Sequence, residues 1–194
     1  PVRSASRPDE RIPIRGVRKH TAEAMVRSAF TAPHAATFLT VDVTASVAVV
    51  AGLRADRRLV GHRVGIMAVA AKAVCLALRR TPELNATWDD AAGEIVRFGR
   101  VNLGVATATD RGLVVPSVKD ADAMTLLELA DAIRTLAETA RAGKATPHDL
   151  SGGTFSITNY GVFGVDAGTP ILVPGEAGIL GLGAVQRRPW EHEG

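Results

Sequence analysis

The run Thr154-Phe155-Ser156-Ile157-Thr158 alternates hydroxyl and apolar side chains without a break. In an extended chain successive side chains point to opposite faces, so Phe155 and Ile157 share one face and the three hydroxyls line the other. Two readings stand beside each other. Threonine has good strand propensity, and the run fits an ordinary half-exposed strand. Alternatively, one hydroxyl donates a hydrogen bond to a developing oxyanion at the strand end, where Asn159 and a glycine-rich turn begin. The position of the strand in a sheet decides between them.

Acyl transfer through a thiol or hydroxyl also needs a general base, and histidine is the usual choice because it titrates near neutrality. The five histidines do not cluster. His20 falls on the first helix, His34 follows Pro33, His62 sits in a basic turn, His148 precedes Asp149 and His192 lies in the terminal tail. Each reads as a solvated or capping residue, with His148 the best remaining candidate. No zinc-ligand spacing joins them to the single cysteine, so no metal is expected.

Other features have bland readings that compete with functional ones. Arg15, Arg18 and Lys19 open the first helix, where positive charge opposes the dipole; this fits a bound anion, with Arg18 as the pairing candidate, or a solvated basic face. Asp42, Asp110 and Asp120 read as caps and turn residues. The patterns Gly161-x-x-Gly164 and Gly178-x-x-Gly181-x-Gly183 invite a dinucleotide reading, but neither opens a helix after a strand. They read as turn glycines and glycines for close strand packing.

The chain that must position these groups has 194 residues, 46% hydrophobic and 22% charged, enough for one well-filled core. No apolar stretch is long enough to span a bilayer, and one cysteine forbids an intrachain disulfide, so a cytoplasmic protein away from membranes is expected. A formal charge of +3 with 4% aromatic residues leaves little for nucleic-acid binding and suits a compact phosphorylated ligand better.

Residues 1–11 read as a linker and residues 12–194 as the folded domain. Apolar spacing predicts a first helix from Val17 through Ala22, Met25, Val26 and Ala29, ending before Pro33. A strand is predicted over 37–43, then a helix capped by Thr44 or Ser46 and reaching Arg54, and another over 65–78. A hairpin is predicted across residues 85–97, strands over 101–109 and 113–119 about the turn Asp110-Arg111-Gly112, and an amphipathic helix over 125–141 ending at Gly143. Further strands are predicted over 154–159 and 177–184. The order lacks strict βαβ alternation, so the expected class is α/β in the α+β two-layer sense: a mixed sheet with helices on one side.

Several segments, in order, resemble one family: Ile14-Arg15-Gly16-Val17-Arg18-Lys19-His20-Thr21-Ala22, Pro33-His34-Ala35, Val41-Asp42-Val43-Thr44, Pro82-Glu83-Leu84-Asn85-Ala86-Thr87-Trp88, Asp110-Arg111-Gly112-Leu113-Val114-Val115-Pro116-Ser117-Val118-Lys119-Asp120-Ala121, and residues 153–183. The resemblance is to the catalytic domain of dihydrolipoamide acyltransferases, the core of 2-oxo-acid dehydrogenase complexes. It implies a chloramphenicol-acetyltransferase-like fold, a homotrimer that builds a larger core, and transfer of an acyl group from dihydrolipoamide, carried on a separate lipoyl domain, to coenzyme A. It also implies 2-oxo-acid decarboxylase and dihydrolipoamide dehydrogenase partners.

On that resemblance Thr158, last on the hydroxyl face and nearest the glycine turn, is the catalytic hydroxyl, with Ser156, Asn159 and Gly161 beside it as substrate contacts. The family's basic histidine stands in an H-x-x-x-D-G motif, and no histidine of residues 1–194 begins one. The expectation is that this segment follows Arg187-Arg188-Pro189-Trp190 and that the chain as given is inactive alone. The runs over 158–164 and 169–176 resemble branched-chain members. A non-catalytic structural core protein and a stand-alone CoA-dependent acetyltransferase remain as alternatives.

Overall fold

The structure, a computed structural model, describes residues 9–191. Residues 9–15, the described end of the expected linker and the start of the expected domain, carry no helix or strand. The first helix, α1 (Gly16–Thr31), turns inward an arc through Val17, Thr21, Ala24, Met25 and Ser28, of which Ser28 is buried and the others half-buried. This corrects the expected stripe: Ala22, Val26 and Ala29 face outward, because α1 meets the rest of the chain through Val17 at Gly112. Asp42 stands before α2 (Thr44–Ala55), and its Oδ1 accepts the Thr44 N–H at 2.8 Å, a role expected of Thr44 or Ser46.

No strand forms over 37–43. Strand preference is a preference for a pleated surface flanked by neighbours, and no described strand lies beside this segment, so Phe38, Leu39 and Val41 stand exposed.

The apolar face of α3 (Ile66–Arg80) buries Ala68, Ala71, Val74, Cys75 and Leu78, and Arg79 and Arg80 complement its C-terminal dipole. The hairpin is formed by β1 (Ala86–Asp89) and β2 (Glu94–Arg97), with Trp88 opposite Ile95. The two strands expected about Gly112 are each divided: β3 (Leu103–Val105) and β4 (Thr107–Thr109) on one side, β5 (Gly112–Val114) and β6 (Ser117–Val118) on the other. Pro116 has no N–H to give the ladder, so pairing splits there into a β4–β5 hairpin and a separate β3–β6 pair. The last helix, α4 (Leu126–Arg141), starts on a capping box: Thr125 Oγ1 accepts from the Glu128 N–H and Glu128 Oε2 from the Thr125 N–H.

The remaining strands, β7 (Phe155–Asn159) and β8 (Ile179–Leu182), complete a four-stranded sheet in the order β6-β3-β7-β8. Strands β3, β7 and β8 run parallel and β6 antiparallel, giving the mixed sheet expected. Helices α3 and α4 cover one face, where Leu103, Val105, Phe155 and Ile157 meet Ala71, Cys75, Leu78 and Leu129. Among the described residues no helix is long and apolar enough to cross a membrane, and no group of three or more His, Cys, Asp or Glu is placed to hold a metal.

Candidate functional site

β7 lies between two parallel neighbours, and such strands are covered on both faces. That decides the hydroxyl face: Thr154 and Ser156 are buried like the apolar residues between them, and only Thr158 is half-exposed. Thr154 is spent on structure, its Oγ1 accepting the Asn102 N–H at 3.0 Å. Ser156 is 0% exposed and faces Glu176, so the substrate contact expected of it is closed off in this arrangement. The Thr158 hydroxyl makes no hydrogen bond among the described residues and remains free to donate.

Thr158 sits where the parallel strands end. In open α/β sheets the carboxyl ends of the strands form the ligand-facing edge. Opposite it in β8 is Gly181, and opposite the half-buried Asn159 is Leu182. The chain then turns through a short 3-10 helix, Gly161–Phe163, and Gly164 takes φ 76°, a left-handed conformation that favours glycine.

The glycines here are packing glycines. A Cβ on Gly161 would run into the Gly183 carbonyl, and one on Gly183 into the Asp166 carbonyl. Two ladder bonds, Tyr160 N–H to Leu182 O and Ala184 N–H to Val165 O, hold these segments together, and the Tyr160 ring lies over Gly181. Gly161, expected as a substrate contact, is thus placed by backbone contact. Beyond the turn, Val162 and Phe163 are 71% and 74% exposed, with Val165 and Ile171 also outward.

The structure does not bring the other candidates to Thr158. Arg18 is exposed on α1 and has no ion pair among the described residues. Each described histidine is engaged or exposed elsewhere. His20 lies 3.7 Å from Glu23, His34 is bonded to backbone, His62 meets Asp131 at 2.5 Å, and His148 stands in the turn closed by Asp149 and Thr146. His192 lies outside the described residues.

Two polar groups carry more weight than their sequence context indicated. Glu176, 7% exposed, lies behind β7, where burial pushes its carboxyl up to about 7 although the Ser156 hydroxyl lowers it in part. Lys119 donates to Ser117 Oγ at 2.6 Å and to the Ser151 carbonyl, clipping the 146–151 turn to β6, and desolvation lowers its pKa. Cys75 is buried in the core, which raises its thiol to about 11 and keeps it unreactive.

The mixed sheet with helices on one face superposes on solved acyltransferase cores, which makes it a domain of the chloramphenicol-acetyltransferase type. Its particular family is also clear: the chain belongs to the 2-oxoacid dehydrogenases acyltransferase (catalytic domain) family, whose model matches residues 6–194. It is 36% identical to the succinyltransferase component of the 2-oxoglutarate dehydrogenase complex of Haemophilus influenzae, over 97% of this chain and 46% of that protein. It is 37% identical to the lipoamide acyltransferase component of the branched-chain alpha-keto acid dehydrogenase complex of Bacillus subtilis, over 93% of this chain and 42% of that protein. The cubic core of the pyruvate dehydrogenase multienzyme complex superposes with a TM-score of 0.90 at 28% identity, covering 95% of this chain and 76% of that one. The chain spans about half the length of these curated relatives. Since succinyl-transferring and branched-chain relatives match it equally well, the branched-chain type expected from the sequence is not singled out.

Proposed function

We propose that the protein transfers an acyl group between dihydrolipoamide and coenzyme A as the core of a 2-oxo-acid dehydrogenase complex. The observation that carries this reading is the free, half-buried Thr158 hydroxyl at the carboxyl ends of three parallel strands, in a chain of this family. The coenzyme A sulfur attacks the thioester carbonyl, the bond from carbonyl carbon to lipoyl sulfur breaks, and the lipoyl thiolate takes up the proton. Between these events charge collects on the carbonyl oxygen, where a hydroxyl donor stabilises it. Thr158 is that donor, and Asn159 borders the same edge. No described residue is placed to act as its base, so the base is proposed to be a histidine supplied with the family's H-x-x-x-D-G segment, outside residues 1–194.

The finer reading is a branched-chain acyl group, from the runs over 158–164 and 169–176. One methylene changes discrimination by only about 1–3 kcal/mol, so pocket volume sets the choice. A homotrimer is proposed from the exposed apolar turn at Val162, Phe163, Val165 and Ile171, which a neighbouring copy would remove from water. A cytoplasmic location with decarboxylase and dihydrolipoamide dehydrogenase partners belongs to the same reading. An assay of the full-length protein with CoA and acetyl-, succinyl- and isobutyryl-dihydrolipoamide tests it. Turnover fastest with isobutyryl supports the branched-chain reading, whereas inactivity with all three would leave a structural core protein.

A further inference from the structure

Glu176 is the one charged residue type buried among the described residues, at 7% exposure. Glycine makes the room for it: a Cβ on Gly153 would stand 2.8 Å from Glu176 Oε1. Ser156, on β7, is accommodated in the same way, because a Cβ on Gly104, its neighbour in β3, would strike Ser156 Oγ. Two glycines therefore leave space for one carboxyl and one hydroxyl. Neither group is satisfied as it stands, for Ser156 Oγ and Glu176 Oε2 are both sealed from solvent without a hydrogen-bond partner.

A buried carboxylate that is charged and unpaired is far costlier than a neutral acid making one hydrogen bond. No cation offsets it. On the β6 side, Lys119 is engaged by Ser117 Oγ and the Ser151 carbonyl, and Asp149 by Thr146. Strands β7 and β8 and residues 169–175 carry no charged side chain. Among the described residues the Ser156 hydroxyl stands near enough to Glu176 to lower its pKa in part, although no hydrogen bond joins them as the side chains stand.

We propose that Glu176 is a positioning residue that works as the protonated acid, its carboxyl O–H donating to Ser156 Oγ and so holding β7, two residues before Thr158, against the 169–176 segment. The catalytic half of this inference rests on the proposed role of Thr158; the structural half does not. Burial raises the folded-state pKa from 4.5 to about 7, so the stabilisation from the protonated acid is complete below 4.5 and is lost as pH rises to about 7.

The test compares wild type, E176Q and E176A as full-length proteins, in thermal unfolding and in acyl transfer to CoA. Glutamine keeps a donor and removes the charge. E176Q should unfold close to wild type near about pH 5 and several degrees above it near about pH 8, with E176A below both near about pH 5. The ratio of wild-type to E176Q kcat should fall severalfold from about pH 6 to about pH 8 while KM for CoA keeps a constant ratio. An E176Q protein that tracks wild-type Tm across this range, or is as unstable as E176A near about pH 5, overturns the inference. The expected Tm pattern in a protein with no acyl transfer would support the Glu176–Ser156 bond and overturn the functional reading instead.

Discussion

Leu172 donates its backbone N–H to His34 Nε2 at 2.9 Å, across 138 positions of chain. The other ring nitrogen, Nδ1, lies 2.6 Å from the Ala32 carbonyl. Together these contacts define the tautomer: Nε2 accepts and carries no proton, so Nδ1 carries it and donates to Ala32. The imidazole is committed on both sides to backbone, tying the segment after α1 to the one that follows the Thr158 turn.

His34→Ala leaves the Leu172 amide without its acceptor. A hydrogen bond of this kind is worth about 1 kcal/mol net, so exchange of that amide should quicken roughly fivefold while amides in α3 and α4 stay protected. Unchanged exchange at Leu172 would show that His34 does not hold the segment.

Thr158→Ala in the full-length protein should lower kcat by roughly 10²–10³ with little change in KM for CoA, and Thr158→Ser should be mild because the donor is retained. A half-exposed hydroxyl without protein partners has little structural duty, so Tm should barely move. Wild-type turnover in Thr158→Ala would remove the oxyanion role.

What could be read from the sequence follows from how local each signal is. Helices α3 and α4, the β1–β2 hairpin and the turn at Gly112 rest on apolar period, caps and turn glycines within a few residues and appear where expected, whereas the division of the strands on either side of Gly112 does not show in so local a signal. Strict alternation put Thr154, Ser156 and Thr158 on one face but left two readings open, and only the resemblance singled out Thr158; its half-exposure against the burial of Thr154 and Ser156 appears once β7 is seen between its neighbours. The 37–43 segment has strand composition without a described partner, which composition does not reveal. The roles of His34 and Glu176 were illegible for a similar reason: each depends on a segment far away in sequence, and an isolated Glu after Pro174-Gly175 reads as surface.

His62 and Asp131 join the loop before α3 to α4 at 2.5 Å, and Arg134 lies 3.3 Å from the same carboxylate. The Asp131 carboxyl is lowered first by the His62 bond, against a smaller desolvation that raises it, with Arg134 adding to the lowering. Its stabilisation is therefore present above the ordinary value of 3.8 and lost as pH falls through the depressed one. In His62→Ala the Asp131 titration, followed by carboxyl NMR, should move upward. An unmoved titration would assign the lowering to Arg134.

Phe163→Asp places a charge on a side chain that is 74% exposed in the single chain, so the fold should tolerate it. If a second copy covers this turn, the charge must be buried against apolar surface, and trimers should dissociate at concentrations where wild type sediments intact. Equal sedimentation of the two proteins would place the interface elsewhere.

Gly161→Ala separates two roles for one residue. The added Cβ meets the carbonyl of Gly183 and the nitrogen of Ala184, which are backbone atoms with no rotamer to yield. Moving that segment aside would break the bonds from Tyr160 N–H to Leu182 O and from Ala184 N–H to Val165 O. Overpacking of this kind costs about 1–3 kcal/mol, so Tm should fall by several degrees. Were Gly161 only a substrate contact, as the sequence pattern allowed, the same variant would raise KM and leave Tm where it was.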